Sequence, residues 1–541
     1  MKNDKVISNN IINESRWAKI EEIKSSATKI NLNSEEYDNA GLPVICDGKT
    51  AYVDATDTHT IVFGSTGSKK TRLFCMPMIN MMIKAGESYI VTDPKGELFT
   101  RTSASAQNNG YKVVVLNFRD IGKGDCWNPL EIPYELYNNG YEGQAISLLN
   151  DFIASISAAN RNKTNDMFWV DSASSLVLAN LLTLMTFGTR KQAHVGSLAK
   201  MCSNENMSYL GKIAEKMNPD SIAGMNYNGI FTSPDRTLQN IEATLYAWLR
   251  IFITQPELTK MLSRSTFDIR DFGKEKTAVY LIVPDEKPTY HFFATIFIKQ
   301  VYETLSGEAQ KENNGMLPIR LNFVLDEFCN IPTIPDMSSM ISAARSRNMR
   351  YYLIVQGLHQ LRAKYGDDAD TIKGNCENWV FLTSKELELL REISELCGTI
   401  TVGKGEKRSL ISTSELQRLD KQKGEALILY GRKYPFITEF PDIDEYKMFE
   451  TRPSVELEKA DFELNLFSTE KLLEDARSGK VDLFSGKIKT TEKKEEIKKD
   501  DIKSSTNHKI GKNNTGATSK IDLQAEIDKK YKEMFGKEGE E

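Results

Sequence analysis

A glycine- and serine-rich stretch that ends in two lysines and a threonine carries the clearest chemical signal in the chain. Its residues are Gly64, Ser65, Thr66, Gly67, Ser68, Lys69, Lys70 and Thr71. Small residues allow backbone N–H groups to turn inward around phosphate oxygens, a lysine reaches the β- and γ-phosphates, and a hydroxyl binds Mg²⁺. The stretch therefore predicts a phosphate-binding loop in which Lys70 contacts phosphate and Thr71 contacts the metal.

The loop departs from the pattern G-x-x-x-x-G-K-[ST] at one position, where Lys69 replaces the second glycine. The backbone approaches the phosphates closely there, so the Lys69 side chain either points outward or crowds the nucleotide. Taken alone, the stretch also fits a glycine- and serine-rich turn that binds no ligand. With the phosphate loop as the working interpretation, we expect nucleotide binding to survive and hydrolysis to be slow.

Two adjacent carboxylates, Asp326 and Glu327, follow an apolar run that starts at Leu321. A nucleotide hydrolase needs such a pair opposite its phosphate loop. Asp326 would hold Mg²⁺, and Glu327 would polarise the attacking water toward the γ-phosphate. The same pattern also occurs at solvated strand ends, so the pairing with the phosphate loop is what favours the catalytic interpretation.

Three polar residues further along are additional site candidates. Arg345 and Arg347 end a predicted helix, where they would complement the helix dipole, reach a neighbouring subunit's nucleotide as an arginine finger, or contact nucleic-acid phosphate. Gln356 follows a predicted strand and would either sense the γ-phosphate or simply cap the strand.

The alternation of strands and helices predicts an α/β fold with a mostly parallel sheet. Runs of β-forming residues occur at 60–63, 88–92, 112–118, 277–283, 321–326, 351–355, 379–383 and 425–430. Helical periodicity without strands fills 129–268, which indicates an inserted all-α domain. The expected organisation is a lead-in (1–57), a nucleotide-binding domain in two parts (58–128 and 269–465), the all-α insertion, and a charged, mostly disordered tail (466–541).

Composition excludes several classes of protein. The chain has 541 residues, 40% of them hydrophobic, and a net charge of −5, so it is not a generally basic nucleic-acid coat. Its seven cysteines and five histidines form neither a C-x-x-C nor an H-E-x-x-H group, which argues against zinc sites and a disulfide framework. No apolar run of about 18 residues occurs, so we expect any membrane link to come through a partner.

Four stretches together carry a family resemblance: GSTGSKKT at 64–71, VTDPKGELF at 91–99, WNPL at 127–130, and the block from Val324 to Leu361. They closely resemble the type IV coupling proteins, the conjugative DNA-transfer ATPases of type IV secretion systems, over about 15–441. The resemblance implies a RecA-like P-loop NTPase domain interrupted by an all-α domain, assembled as a homo-hexamer that uses ATP and Mg²⁺. The phosphate-loop roles fall on Gly64, Lys70 and Thr71, and the carboxylate roles on Asp326 and Glu327. The N-terminal membrane anchor usual in the family is not seen.

The resemblance implies an ATP-driven protein that delivers relaxase-bound single-stranded DNA to the membrane subunits of a secretion channel. Such a protein would be cytoplasmic and peripheral at the inner face of the membrane. Two alternatives stay open. One is a nucleotide-binding scaffold or substrate-recruiting adaptor with weak hydrolysis, and the other is a chromosome-type pump for double-stranded DNA, which would need a DNA-reading module that the sequence does not reveal.

Overall fold

The strands of the protein were located in a computed structural model that describes residues 14–160, 167–312, 314–402, 405–446 and 453–488. The strands are β1 (Thr28–Asn31), β2 (Leu42–Cys46), β3 (Thr50–Asp54), β4 (Thr60–Phe63), β5 (Ser88–Thr92), β6 (Lys112–Asn117), β7 (Thr277–Ile282), β8 (Leu321–Leu325), β9 (Met349–Val355), β10 (Asn378–Phe381), β11 (Thr399–Val402), β12 (Glu406–Ser409), β13 (Glu425–Tyr430), β14 (Phe436–Glu439), β15 (Val481–Asp482) and β16 (Lys487–Ile488).

Nine of these strands, within the described ranges, form a central sheet in the order β14-β13-β10-β4-β9-β8-β5-β7-β6. The seven from β10 to β6 are parallel, and β13 and β14 extend the sheet in antiparallel fashion at one edge. Every residue of β4, β5, β8 and β9 is buried. Burial on both faces explains their mostly apolar sequences, in which Asn322 and Arg350 are buried exceptions. The α/β fold class and the mostly parallel sheet are thus confirmed.

Helices cover both faces of the sheet and build a separate layer between β6 and β7. The α-helices are α1 (Ile20–Ser26), α2 (Met76–Ala85), α3 (Glu97–Asn108), α4 (Glu131–Asn138), α5 (Glu142–Ala159), α6 (Met167–Phe187), α7 (Val195–Met201), α8 (Asn204–Ala214), α9 (Ile222–Phe231), α10 (Asp235–Thr254), α11 (Pro256–Met261), α12 (His291–Lys311), α13 (Met337–Ala344), α14 (Leu358–Tyr365), α15 (Asp368–Gly374), α16 (Leu387–Cys397), α17 (Thr413–Leu416) and α18 (Thr469–Arg477). Helices α4 to α11 follow one another without a strand in the described ranges, so an all-α insertion interrupts the sheet.

Helix α6 is the one described helix that is long and apolar enough to cross a membrane. Of its most apolar window, 67% is buried inside the protein, where α5, α9 and α10 pack around it. Helix α10 shows how such packing is encoded, because its buried residues recur at helical spacing. They are Ile241, Leu245, Trp248, Leu249 and Phe252. Helix α6 is therefore placed as a core helix of the insertion.

The lead-in contains structure that the sequence did not indicate. Strands β1, β3 and β2 form a three-stranded antiparallel sheet. Short strands separated by polar turns carry little periodicity, which is why no strand was predicted in the lead-in (1–57).

The charged tail was predicted to begin at 466, and the structure corrects this boundary, because secondary structure continues within the described residues to 488. Helix α18 packs against α8 and buries Leu472 and Leu473. The charged composition around these two leucines concealed a short amphipathic helix. The rest of the predicted tail, 489–541, lies outside the described residues.

Residues 453–467 connect the two layers of the protein. The carbonyl of Glu458 accepts a hydrogen bond from the N–H of Gly124 (2.9 Å), just after β6. Further on, Asn465 O lies 3.1 Å from His194 Nε2, and the N–H of Phe467 donates to Ser197 Oγ at 3.0 Å. This strap, defined as 453–467, ties the sheet's edge to the helical insertion.

Candidate nucleotide-binding site

The loop 64–70 joins β4 to the helix that follows and is anchored by the neighbouring strands. The N–H of Gly64 donates to Val355 O (3.1 Å), and that of Ser65 donates to Thr383 O (2.9 Å). Gly67 has a φ of 77°, which permits the tight turn. Within the described part of the chain, the N–H groups of Gly67, Lys69 and Lys70 have no hydrogen-bond partner. Free backbone donors in a turn form a site that favours a bound anion.

The interior of this loop leaves no room for a larger residue at Gly64. A Cβ there would lie 2.4 Å from Ser68 Oγ and 3.1 Å from Lys70 Cγ. The Ser68 side chain is 1% exposed, and its hydroxyl has no partner among the described residues. Buried polar groups are nearly always paired, so an orphan hydroxyl beside free N–H groups fits a phosphate group.

The helix after the loop begins with an irregular turn. Residues Thr71–Cys75 form a π-helix in which the N–H of Met76 donates to Thr71 O. Pro77, at the start of α2, has no N–H with which to continue a regular α-helical pattern toward Leu73. The helix after the loop therefore starts with a π-turn just before Pro77.

Lys70 and Thr71 face the two carboxylates after β8. Lys70 Nζ donates to Gly64 O (2.6 Å) and lies 3.7 Å from Glu327 Oε1. Thr71 Oγ1 donates to Asp326 Oδ2 at 3.0 Å. The parallel register explains this meeting, because the carboxyl ends of β4 and β8 lie at the same edge of the sheet, on either side of β9.

The carboxylate pair is electrostatically coupled and conformationally strained. Burial, aided by the negative charge of Glu327, raises the pKa of Asp326 to about 7, against the lowering effect of the Thr71 hydrogen bond. Glu327 has a φ of 51°, which costs a non-glycine residue about 1–3 kcal/mol. Gln356 Nε2 donates to Glu327 Oε2 at 2.8 Å. The Thr71 hydroxyl and the buried Asp326 carboxylate suit Mg²⁺, and the Lys70 ammonium suits a phosphate. The Glu327 carboxylate, held by the amide of Gln356, suits the activation of a water molecule.

Lys69 points away from the loop interior. Its φ is 66°, and its Nζ lies 3.3 Å from Asp442 Oδ2, beyond the end of β14. Asp442 also accepts from Arg72 Nε at 3.0 Å, and this pairing lowers the pKa of Asp442. Sequence reasoning missed Asp442 because it lies 370 residues from Arg72 and belongs to no motif.

Arg345 and Arg347 lie at the opposite edge of the sheet from this site. They precede β9, whereas Gln356 follows it. Arg345 pairs with Asp57 (3.1 Å) and Glu377 (3.0 Å), and Arg347 Nη1 donates to Ala343 O at 2.9 Å. The structure thus brings together Lys70, Thr71, Asp326, Glu327 and Gln356, and leaves the two arginines away from the site of the same chain.

Glu386 is a further residue that the sequence did not single out. Its carboxylate accepts from the N–H groups of Leu358 (3.0 Å) and His359 (2.8 Å), at the start of α14. A Cβ at Gly357 would meet Glu386 Oε2, so a larger residue there would displace this carboxylate. Glu386 thereby fixes the loop that carries Gln356.

Comparison with known proteins points to one family. Residues 16–425 match the family model described as Type IV secretory system Conjugative DNA transfer. Protein VirD4 of Rhizobium radiobacter is 24% identical over 409 residues, which cover 71% of this chain and 55% of that protein. The conjugal transfer protein TraG of the same organism is 22% identical over 354 residues, which cover 64% of this chain and 53% of that protein. The chain spans about half the length of the relatives it matches.

Solved structures show the same fold. The bacterial conjugative coupling protein TrwBdeltaN70, in a trigonal form with sulphate, superposes with a TM-score of 0.59 at 15% identity and covers 82% of this chain. The same alignment covers 96% of that chain. TrwB in complex with ADP and Mg²⁺ gives a TM-score of 0.58 at 14% identity, covering 82% of this chain and 96% of the other. With its family model matched over most of its length, the chain belongs to the family of conjugative DNA-transfer proteins of type IV secretory systems.

Proposed function

We propose that this protein is an ATPase that acts as the coupling protein of a conjugative DNA-transfer system. The observation that carries the proposal is the Thr71–Asp326 hydrogen bond of 3.0 Å beside Lys70 and Glu327. It joins two segments 255 residues apart into one set of phosphate, metal and water-activating groups. Family membership supplies the biological setting, and TrwB, which shares the fold, has been solved with ADP and Mg²⁺.

Each residue of the site has a role that follows from its position. The N–H groups of Gly67, Lys69 and Lys70 and the Ser68 hydroxyl would bind phosphate oxygens. Lys70 would leave Gly64 O to contact the β- and γ-phosphates. Thr71 and Asp326 would hold Mg²⁺. When bound, this ion neutralises charge on the phosphate oxygens. Ionisation of Asp326 is favoured once a divalent cation is near, because the cation offsets the cost of burying its charge.

Hydrolysis would depend on Glu327 as the water-activating base. Its Oε2 accepts from Gln356, so Gln356 is placed to orient this carboxylate and to respond to what occupies the loop opposite. Glu386 would act indirectly, because it holds the turn at Gly357 that follows Gln356.

The substrate and partners follow from the family. We propose that the protein receives single-stranded DNA with its relaxase, assembles as a homo-hexamer, and passes the DNA to membrane subunits of the secretion channel. Arg345 and Arg347, remote from the nucleotide site of their own chain, would serve a neighbouring subunit's nucleotide, in competition with the Asp57 and Glu377 ion pairs of Arg345.

A scaffold with weak hydrolysis is the second candidate, favoured by one observation: Lys69 occupies a left-handed position where a glycine is usual. The two candidates separate on ATP turnover of purified protein with and without single-stranded DNA. Turnover stimulated by DNA supports the motor, whereas tight nucleotide binding without turnover supports the scaffold. Co-purification from donor cells then tests the partners, because a coupling protein should bring a relaxase and a membrane subunit with it.

A further inference from the structure

A cleft of 510 Å³ lies between the helical insertion and the loops that follow the central strands. Helix α10 and the end of α5 form one wall, with Arg250 and Asn160 among the lining residues. The opposite wall comes from the start of α12, the loop after β8 and the end of α14, and includes Thr289, Asn330 and Lys364. The cleft is separate from the phosphate loop, none of whose residues lines it.

The charged side chains that line the cleft are cationic, and the nearby Asp285 carboxylate is bound to Asn330 Nδ2 at 3.1 Å. Arg250 and Lys364 are exposed, and neither has an ion-pair partner within the part of the chain that the structure describes. No aspartate or glutamate occurs among the described residues that line the cleft, although the whole chain has a net charge of −5. A concave surface with one sign of charge concentrates oppositely charged ligands. The amide of Asn160 and the hydroxyl of Thr289 are further groups that bind phosphate oxygens.

The wall that carries Lys364 is packed directly against the segment that carries Glu327. The N–H of Asn330 donates to Glu327 O at 2.8 Å. Phe328, next to Glu327, stacks on Tyr365, next to Lys364, with ring centroids 5.3 Å apart and an angle of 8° between the planes. A ligand that pulls on Asn330 or Lys364 therefore acts on the backbone of Glu327 through one layer of contacts.

The two sides of the cleft belong to different layers of the protein, so an occupant must bridge them. His291, at the start of α12, fixes the inner wall, because its ring nitrogens lie 3.0 Å from Asn330 O and 2.9 Å from Pro284 O. The cationic groups lie within a cleft and not on a projecting helix. Proteins that bind single strands without sequence preference use positively charged grooves of this kind, which the flexible backbone can follow.

We infer that this cleft binds the phosphate backbone of single-stranded nucleic acid through Arg250 and Lys364, and that its occupancy is transmitted to Glu327. The inference rests on the proposed function and adds to it a location for the strand and a route by which the strand stimulates hydrolysis.

The test is the salt dependence of binding of a fluorescein-labelled oligodeoxythymidylate, followed by anisotropy from about 50 to 200 mM salt. Each single-strand phosphate contact contributes about 0.7 to the slope of log affinity against log salt concentration. We expect Arg250→Gln and Lys364→Gln each to reduce the slope by about 0.7, and the double variant by about 1.4. Arg250→Lys keeps the charge and should keep the wild-type slope.

Arg236→Gln is the matched control, because Arg236 is an exposed arginine on α10 that does not line the cleft. It removes the same charge and should leave the slope unchanged. Circular dichroism melts show whether each variant folds; the glutamine side chains replace exposed cations, so wild-type melting is expected. A second readout is the oligonucleotide-stimulated part of ATP turnover, which should fall in the double variant.

Two results would overturn the inference: a double variant with wild-type slope and affinity for the oligonucleotide, or a loss of slope no larger than that of Arg236→Gln. Failure of the proposed function looks different, since wild-type protein would then neither bind the oligonucleotide nor hydrolyse ATP. In the scaffold case, without turnover, the salt slope alone still decides the location of the strand.

Discussion

Lys69 Nζ lies 3.3 Å from Asp442 Oδ2, so the lysine that replaces the loop glycine is paired with a carboxylate that is distant from it in sequence. Asp442 also accepts from Arg72, and Arg72 Nη2 reaches Asp444 at 2.6 Å. This pairing holds the Lys69 ammonium outside the loop interior, where Lys70 alone contacts Gly64 O. The backbone at Lys69 keeps the left-handed conformation that a glycine would adopt.

The first prediction concerns the register of the loop. Lys70→Ala should abolish nucleotide binding, because it removes the buried lysine that we propose as the phosphate contact. Lys69→Gly should leave affinity unchanged, since the Lys69 ammonium is turned outward and glycine accepts the same φ. Binding of a fluorescent ATP analogue measures both. If Lys69→Ala abolished binding while Lys70→Ala did not, Lys69 would be the phosphate lysine and the register would be shifted by one.

The second prediction uses the Asp442 pairing. Asp442→Asn should tighten nucleotide binding at low salt, because it releases Lys69 next to the phosphates, and the gain should vanish at high salt. Turnover should not rise in proportion, since a contact made equally in the ground and transition states does not speed the reaction. In a Lys69→Gly background the same substitution should have no effect on affinity. Additive effects of the two substitutions would rule out the coupling.

The third prediction separates the two carboxylates. Glu327→Gln should retain Mg²⁺-nucleotide binding and slow turnover by about 10²–10⁴, because only the water-activating group is lost. Asp326→Asn should weaken Mg²⁺-dependent binding, since the ligand opposite Thr71 is lost. Titration calorimetry with and without Mg²⁺ and steady-state turnover measure the two effects. Wild-type turnover in Glu327→Gln would remove Glu327 as the base.

The fourth prediction is a dependence of stability on pH. His59 is buried, accepts from Tyr351 N–H at 3.0 Å, and faces Ile341 O at 2.8 Å. Burial lowers the pKa of His59 to about 4, whereas an unfolded histidine has a pKa near 6.5. Below pH 6.5 the unfolded state binds a proton that the folded state does not, so stability present above pH 6.5 is lost as pH falls toward 4.

We expect this histidine to cost about 2 kcal/mol in the free energy of unfolding between pH 7 and 5. Urea unfolding of wild type and His59→Asn at several pH values isolates the effect, because the other titrating groups are common to both. The difference in free energy of unfolding between the wild type and His59→Asn should become smaller as pH falls. A constant gap would show that His59 does not titrate in this way.

The fifth prediction concerns a buried arginine at the amino end of β9. Arg350 is 1% exposed, and its guanidinium donates to Glu87 Oε2, Asn322 Oδ1 and Thr56 O, each at 2.9 Å. Arg350→Met should lower the free energy of unfolding by about 3 kcal/mol, because it removes a donor from the Asn322 and Thr56 oxygens and leaves the half-buried Glu87 with the more distant Arg320, at 3.5 Å, as the cation beside it. Arg432→Met, at an exposed arginine, is the control for chemical unfolding and should change little. A loss below about 1 kcal/mol would mean that Arg320 and Asn322 are enough to hold Glu87 without Arg350.

The eight predicted strands were found in the sheet because seven of them are parallel strands with mostly apolar sequences, and the eighth, β13, has a similar apolar run. The meeting of the phosphate loop with Asp326 followed from the rule that parallel strands place their carboxyl ends at one edge. Asp442 and Glu386 could not be predicted, since each acts through a contact made only after folding. The N-terminal sheet and helix α18 were missed because their apolar patterns extend over only a few residues.

Strand β9 carries Arg350 near one end, with Arg345 just before it, and leads into Gln356 at the other. Its seven residues span about 20 Å and are hydrogen-bonded to β4 on one side and β8 on the other. Because β9 is hydrogen-bonded on both sides, it is a rigid element that can transmit a displacement from one end to the other. In a hexamer of the proposed kind, a displacement of Gln356 by the nucleotide of one subunit would also move Arg345. One strand would thereby couple hydrolysis at two adjacent nucleotide sites.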